Sequence, residues 1–177
     1  MSKEMDELLK RAEQGDVEAQ YDLGVCYGTG KGVKMNRKKS AYWFGKAAEQ
    51  GHAEAQFLLG WCYYSGEGVP MDVEEAARWF AKAAEQGLAE AQVHLGGCYE
   101  DGFGVEQNFE KAARWYQKAA EQGHAVAQRS LGWCYEYGEG VEQNFEQAAH
   151  WYKKAAEQGD DEAQEAYDAL CEQGYRS

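Results

Sequence analysis

The chain has 177 residues, 44% of them hydrophobic, with six Trp and twelve Tyr, which excludes a compositionally disordered protein and allows one shared core. Its 31 acidic against 18 basic side chains leave a formal charge of -13, which opposes sequence-independent phosphate contacts, so no nucleic-acid partner is expected and basic partners are favoured. No stretch reaches the roughly 18 apolar residues of a membrane span, and Met1 to Lys10 carries five charges where a signal peptide has its apolar core. The expectation is a cytoplasmic protein with no membrane partner.

A single Pro against 21 Gly predicts helices punctuated by glycine turns. Residues 1–15 read as a lone helix ending in Ala12-Glu13-Gln14-Gly15, and the same word returns at Ala48, Ala84, Ala120 and Ala156, a period of 36 residues. Four complete units follow, 16–51, 52–87, 88–123 and 124–159, each read as two helices. The first helix of a unit carries Ala-Gln (Ala19, Ala55, Ala91, Ala127), Leu-Gly (Leu23, Leu59, Leu95, Leu131) and Tyr27, Tyr63, Tyr99 or Tyr135. Its glycine removes a side chain so that a neighbouring helix can approach. Gly-x-Gly-Val then marks a turn, from Gly30, Gly66, Gly102 and Gly138.

The second helix opens at Asn36, Asp72, Asn108 or Asn144, residues whose side chains accept an orphan amide. Glu75 stands three residues after Asp72, as in a capping box. Ala76, Trp79, Phe80, Ala83 and Ala84 then form one apolar stripe, repeated at Ala112, Trp115, Tyr116, Ala119 and Ala120. Gly51, Gly87, Gly123 and Gly159 fall where a left-handed residue ends the helix. Trp43, Trp79, Trp115 and Trp151 form a ladder expected to lie at the centre of the core, with Trp115→Ala costing about 3–5 kcal/mol. Residues 160–177 match only a first helix, and Leu-Gly becomes Tyr167-Asp168, as suits a polar cap with no following partner.

The unit A-x-A-Q-x-x-L-G-x-x-Y, G-x-G-V, A-x-x-W-[FY]-x-K-A-A-E-Q-G resembles the Sel1-like repeat over nearly the whole chain. The resemblance implies an all-α fold, a right-handed α-α superhelix (solenoid) of stacked antiparallel helix pairs related to tetratricopeptide repeats. It further implies an adaptor for protein complexes, with the first helices on the concave wall. No Ser, His and Asp grouping recurs in a way that implies nucleophilic catalysis, so no enzyme is expected. A cysteine-rich branch of the family, associated with β-lactam binding, has two bridging cysteines per unit. This chain has one, so the bridge does not carry over, and a small-molecule (β-lactam-type) binding or hydrolysing protein is the alternative reading.

Cys26, Cys62, Cys98 and Cys134 recur with the repeat, while Cys171 is one residue out of register. Equivalent residues of stacked helices lie about 8–10 Å apart, beyond the ~7 Å Cα limit of a disulfide, so all four are expected to be reduced and buried as small hydrophobes. His94 and Cys98 stand four apart, but no second pair completes a four-ligand zinc site; no metal and no cofactor are expected. His52 and His124 read as structural and His150 as surface. The Gly-x-Gly words do not follow a strand into a helix and are turn glycines rather than a phosphate loop.

Positions shared by every unit are explained by packing, which leaves the varying positions of the first helices to carry specificity. They are Tyr21, Asp22 and Val25; Phe57, Leu58, Trp61 and Tyr64; His94, Glu100 and Asp101; and Arg129, Trp133, Glu136 and Tyr137. An aromatic face with acidic edges suits a protein or peptide carrying basic and apolar residues.

Overall fold

The computed structural model describes residues 3–175, and among these there are ten helices and no strand. The chain divides into two compact units, Met1–Gln86 and Gly87–Ser177. In the first, α1 (Lys3–Glu13), α2 (Val17–Thr29), α3 (Arg37–Glu49), α4 (Ala53–Ser65) and α5 (Val73–Glu85) each pack on the next. In the second, α6 (Ala89–Asp101), α7 (Phe109–Glu121), α8 (Ala125–Tyr137), α9 (Phe145–Ala156) and α10 (Asp161–Glu172) do the same.

The helix boundaries follow from local chemistry. Asn36, Asp72, Asn108 and Asn144 are extended, and each side chain accepts from the backbone N–H three residues on, at 2.9–3.0 Å. Glu75 supplies its N–H to Asp72 and turns its carboxylate to Arg78 at 3.2 Å. At the far end of α3, Gly51 takes φ 92°, and the N–H groups of Gly51 and His52 return to the carbonyls of Ala48 and Ala47. The turn after each first helix folds back on it: the N–H of Asn36, Asp72, Asn108 and Asn144 donates to the carbonyl of Tyr27, Tyr63, Tyr99 and Tyr135. In α10, Asp168, which stands where the four units have their helical glycine, is exposed.

The core is displaced by one residue from the expected tryptophan ladder. Trp43 is buried, but Trp79, Trp115 and Trp151 are only half-buried. Each lies beneath a lysine ammonium, Lys82 at 4.0 Å, Lys118 at 4.1 Å and Lys154 at 4.8 Å from the ring centroid. The fully enclosed ring is the next residue: Phe44, Phe80, Tyr116 and Tyr152 are 6%, 1%, 3% and 3% exposed. The cause is the helical glycine of the preceding helix, which leaves a ring-sized slot. A methyl group at Gly60 would stand 2.7 Å from the Phe80 ring, and one at Gly96 would stand 2.5 Å from that of Tyr116.

The Ala-Gln and Glu-Gln words meet in a buried glutamine relay. Gln20, Gln56 and Gln128 donate to the carbonyls of Ala12, Ala48 and Ala120 at 3.0–3.2 Å. Their side-chain oxygens accept from Gln50, Gln86 and Gln158 at 2.7 Å. Each relay ties three successive helices and satisfies amide groups that would otherwise be costly to bury.

The cysteines are all free, but not uniformly enclosed: Cys98 and Cys134 are buried, whereas Cys26 and Cys62 are half-buried. The expectation of four equally enclosed thiols therefore holds only for the second unit. Burial pushes the thiols of Cys62 and Cys98 up to about 11 and that of Cys134 up to about 12.

Candidate functional site

Each unit has a side-chain-sized cleft beside its first helices. In the first unit it measures about 500 Å³ and is floored by Val25, Phe44, Leu58, Trp61 and Cys62. The hydroxyls around it are turned inward: Thr29 donates to the Val25 carbonyl, Ser65 to that of Trp61 and Ser40 to that of Gly24, at 2.7–2.8 Å. Arg37 and Glu67, 3.2 Å apart, pair at its margin. With its polar groups already engaged, this cleft suits an apolar side chain.

In the second unit the cleft measures about 490 Å³ and is of the opposite character. It is lined by Glu100, Arg129, Trp133, Glu136 and Tyr137, together with Tyr152 and Glu162. Trp133 and Tyr137, four apart on α8, are 36% and 57% exposed, with ring centroids 5.0 Å apart. The Tyr152 hydroxyl donates to Glu136 Oε2 at 2.7 Å, and the Tyr116 hydroxyl donates to Glu100 Oε2. Burial and, after it, the neighbouring carboxylate push both phenols far above the ordinary tyrosine range. Arg129 is held by Asp160 at 3.0 Å and by Glu162.

Eight of the fourteen residues singled out from the sequence thus fall in a cleft: Val25, Leu58 and Trp61 in one, and Glu100, Arg129, Trp133, Glu136 and Tyr137 in the other. The remaining six line neither. Tyr21 stacks on the His52 ring at 4.5 Å, Phe57 packs on Phe80 at 5.7 Å, and Tyr64 meets the edge of Trp61 at 5.2 Å. Asp22 and Asp101 are exposed, and His94 is half-buried, with burial lowering its pKa. Phe44, Arg37 and Tyr152, on second helices, and Glu162, on α10, are lining residues that the choice of varying positions in α2, α4, α6 and α8 passes over. For Phe44 and Tyr152 the signal is the change from Phe to Tyr after the repeat tryptophan between the second and third units. His52 caps α4 through Nδ1, accepting from the Ala55 N–H at 3.3 Å. Among the described residues no group of three or more His, Cys, Asp or Glu is arranged to hold a metal ion, and no helix is long and apolar enough to cross a membrane.

The Sel1 repeat profile matches residues 17–52, 53–88, 89–124 and 125–160. Among solved structures, c5321, a protective antigen of uropathogenic Escherichia coli displaying an SLR fold, is 40% identical with a TM-score of 0.93. The match covers 97% of this chain and 37% of that one. A Sel1 repeat protein from Oxalobacter formigenes is 39% identical with a TM-score of 0.85, over 90% of this chain and 66% of its own. The cysteine rich protein B of Helicobacter pylori is 27% identical with a TM-score of 0.57, over 76% of this chain and 96% of its own. This chain therefore spans well under half the length of the first of these and just under two thirds of the second. Among curated proteins there is no significant match.

Proposed function

Because this chain belongs to the Sel1 repeat family, an all-α fold of packed helix pairs used generally as a protein-interaction scaffold, we propose that it binds a protein or peptide and catalyses no reaction. The observation that carries this reading is the position of the two clefts. Both carry first-helix residues that vary from repeat to repeat, whereas most of the repeated residues are consumed by caps, the glutamine relay and the glycine-ring slots. The clefts also divide the labour of recognition: one offers Val25, Leu58 and Trp61 to an apolar anchor, the other offers acids and exposed rings to a basic residue. The partner is a segment in which Lys or Arg accompanies apolar side chains. It needs no metal or cofactor, and a chain of charge -13 draws it in at low salt.

Selection from a random peptide library displayed on phage, with the 177-residue chain as target, tests this reading. Selected peptides should combine basic and apolar residues and bind more weakly as salt rises. Trp61→Ala and Trp133→Ala should each weaken them by more than about 1 kcal/mol. Peptides free of basic residues, bound equally by both variants, would contradict it.

A further inference from the structure

The second unit's cleft carries two coupled changes that the first unit lacks. In the first unit the enclosed ring is Phe44 or Phe80, and the residue sixteen positions before it is Gly28 or Tyr64. In the second unit the ring gains a hydroxyl at Tyr116 and Tyr152, and the residue sixteen positions before it becomes Glu100 and Glu136. Each new hydroxyl donates to Oε2 of its glutamate. Core filling does not require this arrangement, because Phe80 fills the same slot at 1% exposure with no polar group to satisfy. The phenols keep their protons throughout the working pH range, so each half-buried carboxylate has a permanent donor on one oxygen and is held in one orientation. Holding a glutamate this way removes rotamer entropy that a ligand would otherwise have to remove.

The rest of the cleft identifies the ligand. Its lining carries three carboxylates, Glu100, Glu136 and Glu162, against one guanidinium, Arg129, which Glu162 and Asp160 already neutralise. Glu100 and Glu136 are left as uncompensated negative charge beside the exposed rings of Trp133 and Tyr137. We infer that Glu100, Glu136, Trp133 and Tyr137 form a receptor for one arginine side chain of the partner peptide, an inference that rests on the peptide-binding reading above. A guanidinium matches fixed carboxylates through a planar fork and stacks on indole and phenol faces, whereas an ammonium offers neither the fork nor the flat face. A bare divalent cation is a poorer occupant, since one oxygen of each carboxylate is already taken by a phenol and Arg129 lines the same space. Tyr116 and Tyr152 are positioning residues: they act on the ligand through the glutamates.

The probe is acetyl-Gly-Arg-Gly-amide, titrated into the full 177-residue chain and followed by NMR at the Trp133 indole N–H, with the lysine and citrulline tripeptides as comparisons. Arginine should bind about tenfold more tightly than citrulline, the worth of a charge-assisted hydrogen-bond pair, and more tightly than lysine. Glu100→Gln and Glu136→Gln should each remove most of that preference. Tyr152→Phe, which keeps the charge of Glu136 and loses only its donor, should weaken arginine severalfold with the helical circular dichroism unchanged. Glu74→Gln, an exposed acid that lines neither cleft, should have no effect. Equal binding of arginine and citrulline, preference for lysine, or a loss on Glu74→Gln equal to that on Glu136→Gln would overturn the arginine receptor. Should a phage-selected peptide bind undiminished with its arginines replaced by citrulline, the receptor falls and the scaffold reading stands; should no peptide bind at all, both fall.

Discussion

Gly60→Ala adds one methyl group at the closest approach of two helices, where it would stand 2.7 Å from two atoms of the Phe80 ring and 3.3 Å from the Ala76 carbonyl oxygen. Phe80 is 1% exposed and hemmed in by Phe57 and Trp61, at 5.7 and 6.2 Å between ring centroids, so the ring has no free space to enter. Overpacking of this kind costs about 1–3 kcal/mol, and alanine in place of glycine inside a helix returns about 1 kcal/mol. The net expectation is a destabilisation of about 1 kcal/mol. Phe80→Ala should itself cost about 3–5 kcal/mol. In that background the methyl at position 60 enters the vacated slot, the clash vanishes, and Gly60→Ala should become stabilising by about 1 kcal/mol. Urea denaturation followed by far-ultraviolet circular dichroism, over the four combinations, measures the coupling, expected at about 2 kcal/mol. The same sign and size of the Gly60→Ala effect in both backgrounds would refute the glycine-ring slot as the organising contact of the repeat.

Other perturbations follow from the same contacts. Tyr116→Ala should cost about 3–5 kcal/mol and Trp115→Ala clearly less, because only the former ring is enclosed; the two denaturation midpoints settle the order. Cys26, half-buried, should be labelled by a thiol reagent in native buffer well before Cys98 and Cys134, and labelling of the latter two should accelerate as pH approaches 11 and 12. Mass spectrometry of timed samples reads this directly. His94 holds its proton less readily folded than unfolded, because it is buried. The unfolded chain therefore takes up the extra proton first as pH falls below about 6.5, and stability drops from there towards the lower folded pKa. His94→Gln should flatten that part of a melting-temperature profile.

Much of the helical framework was legible because its signals are local. An Asn or Asp followed three residues later by the amide it caps, and a glycine after the last turn, report on backbone groups within a few residues, and Asn108 and Gly123 behave as read. The core was legible only to within one residue. Trp115 and Tyr116 lie on the same apolar arc, and which of them is central depends on Gly96, a residue on another helix. The same limit explains the clefts. Trp61, Trp133 and Glu136 could be chosen because first-helix positions vary between repeats, but Arg37, Phe44 and Tyr152 reach those clefts from second helices. Tyr21 and Phe57 vary in the same way and are nonetheless spent on packing against His52 and Phe80, a use that variation alone does not distinguish from binding.

The most direct test of a peptide-binding role is chemical-shift mapping of a phage-selected peptide on the isotope-labelled chain. The largest shifts should fall on the cleft residues of α2 and α4, Val25, Leu58 and Trp61, and on those of α8, Trp133 and Tyr137. Shifts confined to the second helices, around Trp79 with Lys82 and Trp115 with Lys118, would contradict it.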